Sequence, residues 1–199
     1  MNTTDPAIYL QTVDPVLVPI IQKAPKPTWQ PRADYFKSLV EAIINQQLSG
    51  KAANTIIGRF NKLFPDLPYS PERILRLSDE TIRGVGISYS KVSYIKDLAE
   101  KVRSQTLNFA QIHTWDDEAV IQHLTQVKGI GRWSAEMFLM FTLAREDIFS
   151  FGDQGLKNAI MRLYKIEKPL TQEKATRISD IWRPFRSWAC WYLWQSLDM

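Results

Sequence analysis

The chain has 199 residues, 45% of them hydrophobic, enough to bury a core as one large domain or two small lobes without disulfide or metal staples. Its one cysteine, Cys190, excludes an intramolecular disulfide and any four-cysteine iron–sulfur cluster, and suits a reducing intracellular compartment. A net charge of +4 is compatible with a nucleic-acid partner but is equally that of many ordinary enzymes.

Met1 to Leu10 lacks the positive start and apolar run of a secretory signal, and no later stretch reaches the roughly 18 apolar residues of a membrane span. A soluble, intracellular protein with no membrane partner is expected. Six prolines up to Pro31 predict an opening segment that is mostly extended, with short helices at most. Asp34 then caps a helix whose inward face is Phe36, Leu39, Val40, Ile43 and Ile44. Ser49 caps the next, with Ala52, Ala53, Ile56, Ile57, Phe60 and Leu63 inward, and Ser70-Pro71 starts a short helix through Leu77. A longer one is predicted over Tyr89–Arg103, and Thr114 or Asp116 opens another to about Val127. Helices over Trp133–Ala144, from near Asp153 to Tyr164, over Gln172–Trp182 and over Pro184–Ser196 complete the pattern. Nothing alternates with the two-residue period of a strand, so the fold class is all-α.

Gly129-Ile-Gly131 lies in a short turn between two predicted helices. The glycines let the chain turn sharply, and the turn delivers the N-terminus of the Trp133 helix with its amide donors and positive dipole end. A phosphate is a natural occupant of such a corner, gripped without regard to base sequence. Lys128, Gly129, Ile130, Gly131, Arg132 and Ser134 form the candidate DNA-gripping set, against the plainer reading of an αα corner. Gly84-Val-Gly86 to Leu98-Ala99 echoes Gly129-Ile-Gly131 to Leu143-Ala144 at the same spacing, from duplication or simply from two tight corners.

The string Leu124-Thr-Gln-Val-Lys-Gly-Ile-Gly-Arg-Trp-Ser-Ala135, with an acidic residue some way downstream, resembles the helix-hairpin-helix DNA glycosylase superfamily. Glu41-Ala-Ile-Ile-Asn-Gln-Gln-Leu-Ser49 and Trp182-Arg-Pro-Phe-Arg-Ser-Trp188 resemble its 3-methyladenine glycosylase II branch, in the compact form. The resemblance covers about residues 34–194. It implies one domain over residues 1–199, with two helical lobes flanking a cleft: residues 34–146 with the hairpin, and residues 1–33 plus 147–199.

By that resemblance Asp153, in Phe149-Ser-Phe-Gly-Asp153, is the catalytic carboxylate, while its local pattern reads equally as a helix N-cap, and both can hold. Breaking an N-glycosidic bond builds positive charge on the sugar, which a fixed anion stabilises while orienting the attacking water. Strand-nicking members carry a lysine after the residue matching Arg132. Trp133 stands there, which implies a monofunctional enzyme without lyase chemistry. Trp133 and Trp194 match positions lining the pocket for the extruded base, and Trp188 is a third candidate. Indole faces attract the charge of bases alkylated at ring nitrogens. The remaining C-terminal aromatics at helical spacing read as core.

The resemblance further implies an intercalating loop at Gln46, Gln47, Leu48 and Ser49, with Gln47 and Leu48 competing as the wedge and Asn45 and Gln46 equally readable as a helix cap. A structural Na+ or K+ would be held by main-chain oxygens of Thr125, Val127 and Ile130, with no cofactor for catalysis. The implied activity is excision of 3-methyladenine and 7-methylguanine from double-stranded DNA, by a monomer. A glycosylase for deaminated bases (uracil or hypoxanthine) and a non-catalytic lesion-binding module are the alternatives.

Overall fold

The structure, a computed structural model, describes residues 5–65 and 68–199; the part of the N-terminal reading that falls on Met1–Thr4 lies outside the described residues. Among the described residues the regular elements are all helical. In chain order they are α1 (Pro6–Val13), α2 (Val18–Ile21), α3 (Tyr35–Asn45), α4 (Gly50–Asn61), α5 (Pro71–Arg76), α6 (Asp79–Gly84), α7 (Tyr89–Arg103), α8 (Asp117–Leu124), α9 (Arg132–Phe141), α10 (Gln154–Leu163), α11 (Gln172–Asp180) and α12 (Arg186–Ser196). A single 3-10 turn at Ile112–Thr114 precedes α8.

The helix starts follow side-chain chemistry. Asp34, Ser49, Ser70, Ser88, Asp116, Asp153 and Thr171 each accept a main-chain N–H from the first turn they precede. Each such cap contributes about 1 kcal/mol. Asp116, not Thr114, caps α8. α6 has no counterpart in the sequence reading: Ser78 caps it, but its six residues carry only one buried side chain, Ile82, too few for a period to register. α9 ends at Phe141, three residues before the expected Ala144, whose φ of 54° is left-handed. α11 likewise ends at Asp180 and α12 starts at Arg186.

The chain divides into two compact units, Arg32–Phe138 and a second made of Met1–Pro31 with Leu139–Met199. Leu139–Glu146 therefore goes with the C-terminal segment, not with the hairpin as the sequence division at 146 had it.

In the unit Arg32–Phe138, α7 packs against α3, α5 and α6. Its Val92, Ile95, Leu98 and Ala99 are buried, as are Phe36, Leu39, Val40, Ile43 and Ile44 of α3. Each such Val, Leu, Ile or Phe side chain contributes about 1.5–3 kcal/mol on burial.

In the other unit, α12 packs on α1, α2 and α10. Trp182 and Tyr192 are fully buried, as core residues at helical spacing should be. The buried carboxylate of Asp14 accepts hydrogen bonds from Trp182 Nε1 (2.7 Å), from the Val16 N–H (3.0 Å) and from the Tyr164 hydroxyl. Burial, reinforced by that carboxylate, pushes the Tyr164 phenol far above its ordinary range, so it stays a donor. The α1–α2 corner is thus fastened to α10 and to the segment before α12.

The two glycine corners are not a structural repeat. Gly86, the second glycine of the first, has φ 104°, whereas in the second corner it is the first glycine, Gly129, that has φ 78°.

Candidate active site and nucleic-acid interface

Asp153 stands where the chain turns into α10. Its N–H donates to Ser150 O (3.1 Å), and its Oδ1 accepts from the Leu156 N–H (2.8 Å) and from the indole Nε1 of Trp194 (3.0 Å). The cap reading is therefore correct, and it orients the carboxylate at the positive end of a helix dipole, where an anion is stabilised. Gly155 keeps the space clear: a Cβ there would come within 3.1 Å of Asp153 Oδ1 and 3.3 Å of Trp194 Cδ1. Asp147, the neighbouring acid, is engaged by Arg183 (2.8 Å) and Arg186 (2.6 Å) in ion pairs.

An aromatic run extends from Trp194. Its ring lies 5.8 Å from Phe141, which lies 5.4 Å from Trp29, which in turn meets Trp191 at 5.6 Å and Trp188 at 6.2 Å. Trp188 is thus two rings removed from Trp194, and its Nε1 donates to Glu146 Oε1 (3.3 Å). Trp191 Nε1 donates to Pro25 O (2.9 Å), holding the proline-rich entry segment against α12. Trp29 is the centre of this run, and Phe141 is a member that sequence reasoning missed. Trp133 belongs to the other unit, on the first turn of α9, with 43% of its surface exposed.

In the hairpin, the Val127 N–H donates to Leu124 O and the Ile130 N–H to Val127 O, both at 3.1 Å. Gly129 is obligatory on two counts: its φ is left-handed, and a Cβ would lie 2.1 Å from the Tyr94 ring. The Lys128 N–H is taken by Asp97 Oδ2 (2.9 Å), a carboxylate clasped by Lys101 at 2.8 and 2.9 Å. Burial alone would raise the Asp97 carboxyl, but the Lys101 ammonium and the Lys128 amide outweigh it and hold it below its ordinary value. Arg132 makes two bonds to Glu118 (3.0 and 2.8 Å) and one to the buried Glu136 (3.1 Å), so its charge is matched within the protein. Ser134 and Ile130 are both buried.

The turn after α3 joins this hairpin. Gln46 Nε2 donates to Gly129 O (2.8 Å) and to Ser134 Oγ (3.4 Å). Gln47 is exposed with φ 56°, Leu48 is half-buried, and Ser49 caps α4. The four loop residues therefore divide: Gln46 and Ser49 are tied to the scaffold, and Gln47 forms the tip. Asp97, Tyr94 and Lys91, whose ammonium donates to Gln46 O, are contributors that the sequence reading passed over, because each acts across a long sequence separation with no local motif.

Among the described residues no group of three or more His, Cys, Asp or Glu side chains is arranged for a metal ion. The hairpin carbonyls of Thr125, Val127 and Ile130 are neutral hard oxygens of the kind a monovalent cation takes; that of Val127 already accepts one N–H and has a second lone pair. No helix is long and apolar enough to cross a membrane among the described residues.

The model of the HhH-GPD superfamily of base excision DNA repair proteins matches residues 40–184. The chain is 35% identical over 163 residues to DNA-3-methyladenine glycosylase 1 of Schizosaccharomyces pombe, covering 81% of this chain and 72% of that protein. Among solved structures it is similar to the S. pombe 3-methyladenine DNA glycosylase Mag1 in complex with abasic DNA, with a TM-score of 0.86, 32% identity and 98% of both chains covered. It is also similar to a DNA-3-methyladenine glycosidase from Bacillus halodurans, with a TM-score of 0.81, 36% identity, and 98% of this chain and 91% of that one covered.

Proposed function

Because the chain belongs to the HhH-GPD superfamily of base excision DNA repair proteins, we propose that it is a monofunctional DNA glycosylase that excises alkylated purines of the 3-methyladenine and 7-methylguanine type. The observation that carries this reading is the Asp153 carboxylate, fixed by the Leu156 amide and the Trp194 indole at the head of α10. As the glycosidic bond lengthens, positive charge grows on the sugar, and an anion already oriented needs no rearrangement to stabilise it. The same carboxylate orients the attacking water or accepts its proton.

Bases alkylated on ring nitrogens are cationic and leave readily, so an aromatic surroundings with few hydrogen-bonding groups suffices. In the unit that carries Asp153, Trp194, Phe141 and Trp29 supply indole and phenyl faces of this kind. The unit Arg32–Phe138 presents, by itself, the exposed indole of Trp133. Trp188, further along the run, contributes through Trp29.

The strand is gripped through the hairpin. The Lys128 and Ile130 amides serve the protein itself, so the strand is met by the Gly129 and Gly131 amides, with the Lys128 ammonium nearby. Arg132 and Ser134 act from behind, as supports for the hairpin. A Na+ or K+ on the carbonyls of Thr125, Val127 and Ile130 would hold the corner and add positive charge facing phosphate. The working form is a monomer acting on duplex DNA.

Lyase chemistry runs through a Schiff base on an amine, and Trp133, whose indole cannot form one, stands where strand-nicking members carry their lysine, which supports the monofunctional reading. The test is direct. Methylated duplex DNA incubated with the protein should release free 3-methyladenine and 7-methylguanine and leave unbroken abasic strands, and borohydride should trap no protein–DNA adduct. Release of only uracil or hypoxanthine from deaminated duplexes, or a trapped adduct, would refute the corresponding half of the proposal.

A further inference from the structure

The turn that follows α3 is held by a residue with no part in the chemistry described above. Gln46 has φ −49° and ψ 130°, Gln47 has φ 56°, and the Leu48 N–H donates to Asn45 O at 3.1 Å. These are the marks of a type II turn, whose third residue is ordinarily glycine or asparagine. Glutamine in that place is strained. The strain is relieved if the peptide plane between Gln46 and Gln47 flips, which yields a type I turn with a negative φ at Gln47. The flip would also re-aim the Gln47 side chain.

The Lys91 ammonium stands against that flip. It donates to Gln46 O at 2.6 Å and to Ile44 O at 2.8 Å, so it grips the carbonyl of the peptide that would rotate, together with an end carbonyl of α3. Burial of the ammonium lowers its pKa, in keeping with a cation taken partly out of water to serve these two acceptors. Gln46 cannot follow a flip freely either, because its side chain is bonded to Gly129 O.

Lys91 is also the first of a row on α7. One turn on, the Tyr94 ring fills the space above Gly129, and one turn further Asp97 takes the Lys128 N–H. One face of a single helix therefore sets the turn after α3 at a fixed distance from the phosphate-gripping hairpin.

We propose that Lys91 is a positioning residue for base excision, fixing the Gln46–Gln47 peptide plane so that Gln47 is aimed to fill the gap an extruded base leaves in the stack. This rests on the glycosylase reading above. An ordinary helix-end cap would hold α3 without governing the turn, and the two roles separate experimentally.

The variants are Lys91→Met, which keeps the bulk of the side chain, and Lys91→Arg, which keeps the charge and donors. In the free protein, NMR should give a strong Gln46 Hα to Gln47 amide NOE for wild type and Lys91→Arg. In Lys91→Met it should weaken in favour of an amide–amide NOE between the same residues. Single-turnover excision of 7-methylguanine from a duplex should slow roughly 10- to 100-fold in Lys91→Met, as for other small misplacements caused by changes remote from the chemistry. The half-saturating protein concentration, set by the hairpin, should change little, and Lys91→Arg should recover most of the rate. An unchanged NOE pattern in Lys91→Met, or a wild-type maximal rate, would overturn the proposal. A wild-type protein that releases no base from any damaged duplex would defeat the glycosylase reading and the role of Lys91 in excision with it, a result distinguishable from a failure of Lys91 alone.

Discussion

Trp194 donates its indole N–H to Asp153 Oδ1 across 3.0 Å, so this aromatic residue acts on the candidate catalytic acid through an edge hydrogen bond. Trp194→Phe keeps a ring beside Phe141 and removes only the donor. A hydrogen bond to a charged acceptor contributes about 1.5–3 kcal/mol, which corresponds to a roughly 10- to 100-fold slower maximal excision rate. Affinity for an uncleavable duplex should be nearly unchanged. Single-turnover kinetics beside a binding titration would check this, and equal losses in both would assign Trp194 to base stacking alone.

Gly129→Ala should damage both stability and grip. The added methyl meets the Tyr94 ring at 2.1 Å on a backbone with φ 78°. Overpacking costs about 1–3 kcal/mol, and left-handed strain adds to it. Gly131→Ala is the control, since a Cβ there meets nothing within 4 Å. The urea midpoint should fall for the first and hardly move for the second. Binding to undamaged duplex should weaken in Gly129→Ala to the same degree as binding to damaged duplex, because phosphate contacts carry no lesion information.

The attachment of the hairpin to α7 should be acid-resistant. Asp97 has a carboxyl held below its ordinary value in the fold, so its contribution is complete above the unfolded carboxylate range near pH 4 and fades only as pH falls through the lower native value. Hydrogen exchange at the Lys128 amide, corrected for intrinsic rates, should therefore show constant protection from pH 7 to about pH 5. In Asp97→Ala that protection should be lost at every pH, with a stability loss of about 1.5–3 kcal/mol.

Gly155→Ala should slow excision with little effect on folding. Its Cβ would press on Asp153 Oδ1 at 3.1 Å and Trp194 Cδ1 at 3.3 Å, while alanine is intrinsically the better helix former by about 1 kcal/mol. A raised or unchanged melting temperature together with a rate lowered about tenfold or more is the expected pair of results. An undiminished rate would show that the carboxylate tolerates displacement.

What could be read from the chain without coordinates was chiefly what is local. Asp34, Ser49 and Asp153 declare helix starts through contacts three residues away, and the apolar faces of α3 and α7 recur at the helical period. Asp153 stood out through its surroundings in sequence, but whether it would cap a helix or serve chemistry was open, and its geometry satisfies the first without hindering the second. What was not legible depends on partners far along the chain. Asp97 meets Lys128 across 31 residues and Lys91 meets Gln46 across 45, and neither leaves a pattern in the intervening sequence. Arg132 read as a cation for phosphate because its partner Glu118 lies 14 residues away on α8. Trp194 matches a pocket position of the family and Trp188, on the same α12, is a third candidate; in the structure their hydrogen-bond acceptors, Asp153 and Glu146, separate them.

In the proposed mechanism Asp153 is the anion that meets the developing sugar cation. The most direct measurement compares wild type with Asp153→Asn on a duplex carrying 7-methylguanine, quantifying the free base released under single-turnover conditions with binding measured in parallel. Asparagine retains an oxygen for the Leu156 and Trp194 donors, so the fold and the affinity should persist. The rate should fall by roughly 100-fold or more, in line with the loss of a preorganised electrostatic group. A variant that binds and excises as wild type does would contradict the account.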